Sequence, residues 1–154
     1  MFKAGRATKG IATVLRAFIV SVCVLGASGC RTYNQEWKDA GKTLTSGGFE
    51  GRWEGTWHSD QNGHSGKLRC ITIRRYENEY DAKFRATYQK ILRFSHTAPL
   101  YTQSQGTNWV FSGEANLGWW AGGLYRYEGR ADAWSFFSTY SNRYDHGTFV
   151  MERK

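Results

Sequence analysis

The segment Tyr80-Asp81-Ala82-Lys83-Phe84-Arg85-Ala86-Thr87-Tyr88 decides the fold. Every second residue is aromatic or small and apolar, and those between are charged or polar. Side chains alternate across a strand, so a period of two marks a strand with one face in a core and one in water. The same alternation continues outward. Trp109, Phe111, Gly113, Ala115 and Leu117 alternate with Val110, Ser112, Glu114 and Asn116. Tyr125, Tyr127, Gly129 and Ala131 alternate with Leu124, Arg126, Glu128 and Arg130. Trp134, Phe136 and Tyr140 share a face through Ser138, and Phe149 and Met151 close the chain. Nothing from Phe49 to Lys154 sustains a helical period, so the domain is all-β.

Turn chemistry cuts this region into about eight strands. Asp60-Gln61-Asn62-Gly63, Glu77-Asn78, Gln105-Gly106, Gly122-Gly123 and Asp145-His146-Gly147 are the turn signals. Short loops between successive strands imply a single antiparallel up-and-down barrel, with a β-sandwich as the alternative. Small and large residues alternate on the inner face, which suits the taper of a small barrel. The lone Pro99 is placed near a strand end, where its missing N–H costs no ladder bond. The barrel domain is read as residues 49–154.

The first thirty residues differ. Lys3, Arg6, Lys9 and Arg16 are basic, and no acid precedes Glu36. An apolar run, Ala17 to Leu25, then breaks into Gly26-Ala27-Ser28-Gly29-Cys30. A basic start, a short apolar core and a small-residue cleavage site define a secretory signal peptide over 1–29. The run is shorter than the roughly 20 residues of a membrane-spanning helix. Ala27-Ser28-Gly29-Cys30 resembles the lipobox of bacterial lipoproteins. That resemblance implies lipidation of Cys30 by thioether-linked diacylglycerol and palmitate-like chains, a membrane anchor, and a place in the cell envelope. Arg31 rather than Asp after the cysteine implies the outer membrane, facing the periplasm. Residues 30–48 become the lipidated cysteine and a polar tether, with a short helical turn around Gln35 to Ala40. The whole chain is also similar to small, uncharacterised exported lipoproteins.

Export changes the charge balance. The chain has 21 Lys+Arg and 13 Asp+Glu. Loss of four basic residues with the signal leaves 17 against 13, a net of +4. Basic and acidic residues interleave, so no basic face for nucleic acid is expected. Cys23 leaves with the signal and Cys30 carries lipid, so Cys70 remains alone in an apolar strand and is read as a core thiol.

The domain opens Gly51-Arg52-Trp53-Glu54-Gly55-Thr56-Trp57. Gly51 and Trp53 resemble the Gly-X-Trp start of lipocalin-like (calycin) barrels. In that family the Trp packs at the barrel base under a basic residue of the last strand, which implies Arg153 as its partner here.

Candidate sites fall in two groups. The aromatics Trp53, Trp57, Trp119, Trp120 and Tyr125 are candidates for ligand binding. In Trp119-Trp120, one ring is expected to point outward or sit on a loop, fit to stack on a sugar or enter a membrane interface. The first hairpin gathers His58, Asp60 and His64 beside Ser59 and Ser65. These are the donors a Zn²⁺ ion takes, or a base and its orienting acid. The plainer reading is a solvated turn set by Asn62-Gly63. Topology is taken to hold the Asp145-His146 turn at the opposite barrel end from His58. His96 is read as a strand-end residue. No cofactor and no catalytic residue is assigned. Three functions follow. The first is a non-enzymatic envelope module binding a small apolar or amphiphilic ligand, or an envelope partner. The second is a structural or assembly lipoprotein of the outer membrane. The third is a hydrolase using the 58–64 loop.

Overall fold

The computed structural model describes residues 33–44, 48–89 and 91–154. The signal segment 1–29 and Cys30 lie outside the described residues. Residues 33–43 are helical, a longer element than the expected turn. Tyr33 and Trp37, one turn apart, stack with centroids 6.3 Å apart.

The strands are β1 (Gly51–Ser59), β2 (Ser65–Tyr76), β3 (Glu79–Tyr88), β4 (Leu92–Gln105), β5 (Asn108–Asn116), β6 (Leu124–Ala131), β7 (Ser135–Ser141) and β8 (His146–Arg153). Each pairs antiparallel with its predecessor, and β8 closes on β1, giving a closed up-and-down barrel. The sandwich alternative is thereby excluded. Closure leaves no free edge running the length of the sheet.

The alternation seen in the sequence is the inside–outside alternation of the barrel. Tyr80, Ala82, Phe84, Phe111, Ala115, Tyr127, Ala131, Phe136, Tyr140, Phe149 and Met151 are buried in one core. Outward positions carry ion pairs such as Glu54–Arg69 and Glu114–Arg126, each at 2.8 Å. Inner glycines make room for rings: a β-carbon on Gly129 would run into the Phe111 ring and the Phe137 carbonyl. Trp134 departs from the expectation and is 75% exposed. Asp132 accepts N–H bonds from Trp134 and Ser135 at 2.7 Å, folding the chain into a turn before β7 begins. Trp134 therefore never joins the strand face.

Pro99 also departs from its expected place, lying in mid-β4 opposite Asp81. Its neighbours explain the tolerance. β3 and β4 pair from Glu79–Tyr101 to Tyr88–Leu92, whereas β4 and β5 pair only from Leu100–Gly113 to Gln105–Asn108. Pro99 has no N–H to donate, and the β4–β5 ladder stops beside it. The first half of β4 is thus held by β3 alone.

One end of the barrel is a sealed base. Phe49, just before β1, is fully buried and meets Tyr80 at 4.9 Å and Phe111 at 5.3 Å. Trp53 is fully buried, donates its indole N–H to Thr72 Oγ1 at 3.0 Å, and packs on Phe136. Arg153 lies over the Trp53 ring, 4.0 Å from its centroid. Its guanidinium donates to the carbonyls of Ala133, Glu50 and Gly48 at 2.5, 2.7 and 2.5 Å. Gly51 has φ +149°, and a β-carbon there would collide with Arg153. The Gly-X-Trp opening thus has a physical role in this chain: the glycine clears the space the arginine fills.

Candidate functional site at the loop end

The opposite end carries the loops 60–64, 117–123 and 142–145, with Gln89 and Ile91 between β3 and β4. Core aromatics continue towards it but lose cover. Phe84, Tyr127 and Phe149 are buried, with centroids 5.5–6.1 Å apart. Above them Trp57, Tyr88, His96 and Tyr125 are only half-buried, and Phe94 is 45% exposed. Leu92, Phe94 and His96 occupy the inward parity of β4. They are uncovered because this half of β4 has no partner on its β5 side.

Three polar clasps organise the rim. The first is deep: Tyr127 Oη and His96 Nε2 share a hydrogen bond of 2.9 Å. Burial lowers the His96 pKa to about 4, so the ring is neutral at physiological pH, and burial pushes the Tyr127 hydroxyl far up. The second joins β1 to the last turn. Ser59 Oγ donates to Asp145 Oδ1 at 2.6 Å, and Tyr140 Oη donates to Asp145 Oδ2 at 3.1 Å. Asn142 Oδ1 holds the turn by accepting from the N–H groups of Tyr144 and Asp145. The third joins the 60–64 loop to β3: Tyr88 Oη meets His64 Nδ1 at 3.1 Å, and Tyr88 stacks on Trp57. Trp57 Nε1 in turn donates to the Thr87 carbonyl at 3.1 Å.

The second clasp corrects the topological expectation. In a barrel of eight antiparallel strands, β8 runs against β1, so the start of β8 lies beside the end of β1. His58 pairs with Thr148 and Ser59 with Gly147, and the Asp60 N–H donates to the His146 carbonyl at 2.9 Å. The two polar turns therefore meet. Their meeting builds a brace and brings no exposed nucleophile, since Ser59 is fully buried.

The hairpin trio is divided. His58 faces outward and approaches Asp60 at 3.8 Å, both about half exposed, whereas His64 turns to Tyr88. Among the described residues no group of three His, Cys, Asp or Glu side chains converges as a metal-ligand set. The aromatic candidates also separate by place. Trp53 belongs to the sealed base. Trp57 and Tyr125 stand in the rim. Trp119 and Trp120 form a 3₁₀ turn, 90% and 67% exposed. Both rings project, where the sequence led to the expectation of one. Gly118, Gly122 and Gly123, at φ +85°, +97° and +78°, supply the left-handed backbone that this tight turn needs.

Sequence reading missed His96, Tyr127, Tyr140 and Asp145 as members of one end. The alternation places Tyr127 and Tyr140 inside but carries no depth along the barrel. Fold and rim together define an eight-stranded barrel sealed at one end, with an aromatic, partly open rim at the other. No family model, curated protein or solved structure matches the chain.

Proposed function

We propose that this protein is a non-enzymatic binding module, anchored in the bacterial cell envelope through lipidated Cys30, that takes a small amphiphilic ligand on its aromatic rim. The reading rests on one contrast. Inward-facing aromatics are tightly covered at the base, while Trp57, Tyr88, Phe94 and Tyr125 present ring surface at the loop end. Aromatic surface flanked by a few fixed polar groups is the usual make-up of a ligand site. The neutral His96–Tyr127 pair and the Asp145 clasp supply those polar groups beside the rings. The buried middle of the barrel, from Phe49 to Phe149, directs a ligand to the rim rather than the axis. Outward ion pairs on the wall argue against lipid contact along the strands.

Protein released from membranes in mild detergent is expected to carry a non-covalent adduct by native mass spectrometry. Trp57→Ala with Tyr125→Ala is expected to lower its occupancy at least tenfold. A bare mass throughout, with no spectral change at Trp57 on titrating lysophospholipid, would refute the rim site. Cys30→Ser is expected to abolish incorporation of labelled palmitate and release the chain from membranes.

A second reading, an assembly role, draws on the outer wall. A groove of about 680 Å³ lies there, lined by Tyr76, Glu79, Tyr101, Val110 and Glu128 among others. A photocrosslinker at Tyr101 capturing one defined envelope protein would favour it.

A further inference from the structure

We infer that the loop end also docks on an anionic lipid bilayer. This inference does not rest on the rim ligand, because it concerns exposed side chains other than the rim rings Trp57, Tyr88, Phe94 and Tyr125. They stand on loop tips and on the first residues of β4 and β6. Ile91 is 82% exposed, Leu92 53%, Trp119 90%, Trp120 67%, Leu124 40% and Tyr144 64%. An apolar residue exposed singly is ordinary, but this many at one barrel end make a patch with a purpose. Around the rim the tips follow one another. Loops 117–123 and 142–145 meet where a β-carbon on Gly122 would touch the Asn142 side chain. The Trp tip is also preformed: the Gly123 N–H donates to the Gly118 carbonyl and the Leu117 N–H to the Gly123 carbonyl, both at 2.9 Å. Little ordering entropy is then lost on insertion.

Charge selects the surface. The exposed arginines here are Arg93 and Arg143. Within 91–94, 117–124 and 142–146 the only carboxylate is Asp145, already engaged by Ser59 and Tyr140; the neighbouring 60–64 loop adds Asp60, half exposed and 3.8 Å from His58. Aromatic and aliphatic tips accompanied by two exposed arginines match the interface of an anionic membrane, where Trp and Tyr settle at headgroup depth. A polysaccharide would use the flat Trp faces but gain little from Ile91, Leu92 and Leu124. The aliphatic tips therefore favour lipid. The chain enters the barrel at the base, since Phe49 and Gly51 lie there, so this contact is separate from the point of entry.

The barrel closes on its own strands and core, so residues 31–154, which lack Cys30 and any acyl chain, serve as the probe. They are expected to sediment with vesicles of phosphatidylethanolamine and phosphatidylglycerol (3:1) and to release them as salt rises. They should ignore phosphatidylcholine vesicles. Brominated acyl chains should quench tryptophan emission on binding. Trp119→Ser with Trp120→Ser should weaken partitioning at least tenfold, and Arg93→Gln and Arg143→Gln about fivefold each. Trp134→Ser, which removes an exposed Trp at the base, should bind as the parent does. All are surface changes, and an unaltered thermal midpoint will show that they fold. Absence of vesicle binding, equal loss in Trp134→Ser, or retention on insoluble polysaccharide in place of vesicles would overturn the inference. A rim ligand seen by native mass spectrometry would survive any of these results.

Discussion

Arg153 joins separate parts of the base: one guanidinium covers Trp53 and ties the carbonyls of Gly48, Glu50 and Ala133. Desolvation lowers its pKa, yet it remains charged. Arg153→Met keeps the apolar stem and removes the donors. Lost charge-assisted bonds and a lost cation–π contact should cost about 2–4 kcal/mol, read from urea unfolding. His96 makes the complementary case. Its folded pKa of about 4 lies below the ordinary 6.5, so between these values the unfolded chain binds a proton that the native state refuses. Stability should therefore be full above pH 6.5 and fall as pH drops towards 4, by about 2–3 kcal/mol from this group. His96→Gln should flatten that part of the pH profile of the urea midpoint. An unchanged slope would show that His96 titrates normally. Neither role was visible in advance in equal measure. Arg153 was legible because the Gly-X-Trp resemblance pointed to it. His96 was not, because burial at a barrel end is a property of the closed sheet.

At the scale of elements, the seam between β4 and β5 is the weak line. Residues 92–99 of β4 have a ladder partner only in β3, Leu100 and Tyr101 are paired on both sides, and 102–105 pair with β5. Amides of Arg93, Ser95 and Thr97, which alternate towards the β5 side, should exchange with solvent at least tenfold faster than those of Tyr101 and Gln103. Equal protection along β4 would mean the seam is closed in solution. Gly129 tests the packing beside it. Gly129→Ala drives a methyl group against Phe111 and the Phe137 carbonyl and should destabilise by about 1–3 kcal/mol. Strand existence was legible throughout because Tyr80–Tyr88, Trp109–Leu117 and Tyr125–Ala131 alternate cleanly. Where ladders end was not. Pro99 reads locally as a strand end, and only its missing partner in β5 lets it stand in mid-strand.

The whole molecule unfolds as a closed object, and Cys70 reports on it. In the chain from Arg31 onward it is the only cysteine. It is fully buried, and burial raises its thiol pKa well above the ordinary range. Its alkylation should follow global opening, with negligible reaction in native buffer and labelling rates that track the unfolding equilibrium in urea. Fast labelling of the native protein would mean that the barrel breathes at β2. The same closed architecture gives the protein two unlike ends, one sealed by Phe49, Trp53 and Arg153 and one ringed by Trp57, Tyr88, Tyr125, Trp119 and Trp120.

By itself the sequence determined that the domain is all-β, how many strands it has, and which residues face inward. Those properties follow from a local period of two and from turn residues that act within a few positions. Tertiary closure alone decided that β8 lies antiparallel beside β1 and so brings Asp145 to Ser59. It also decided that His64 turns to Tyr88 and away from His58 and Asp60, and that exposed rings gather at one end. Distance along the barrel axis depends on register between strands remote in the chain, and alternation carries no record of it.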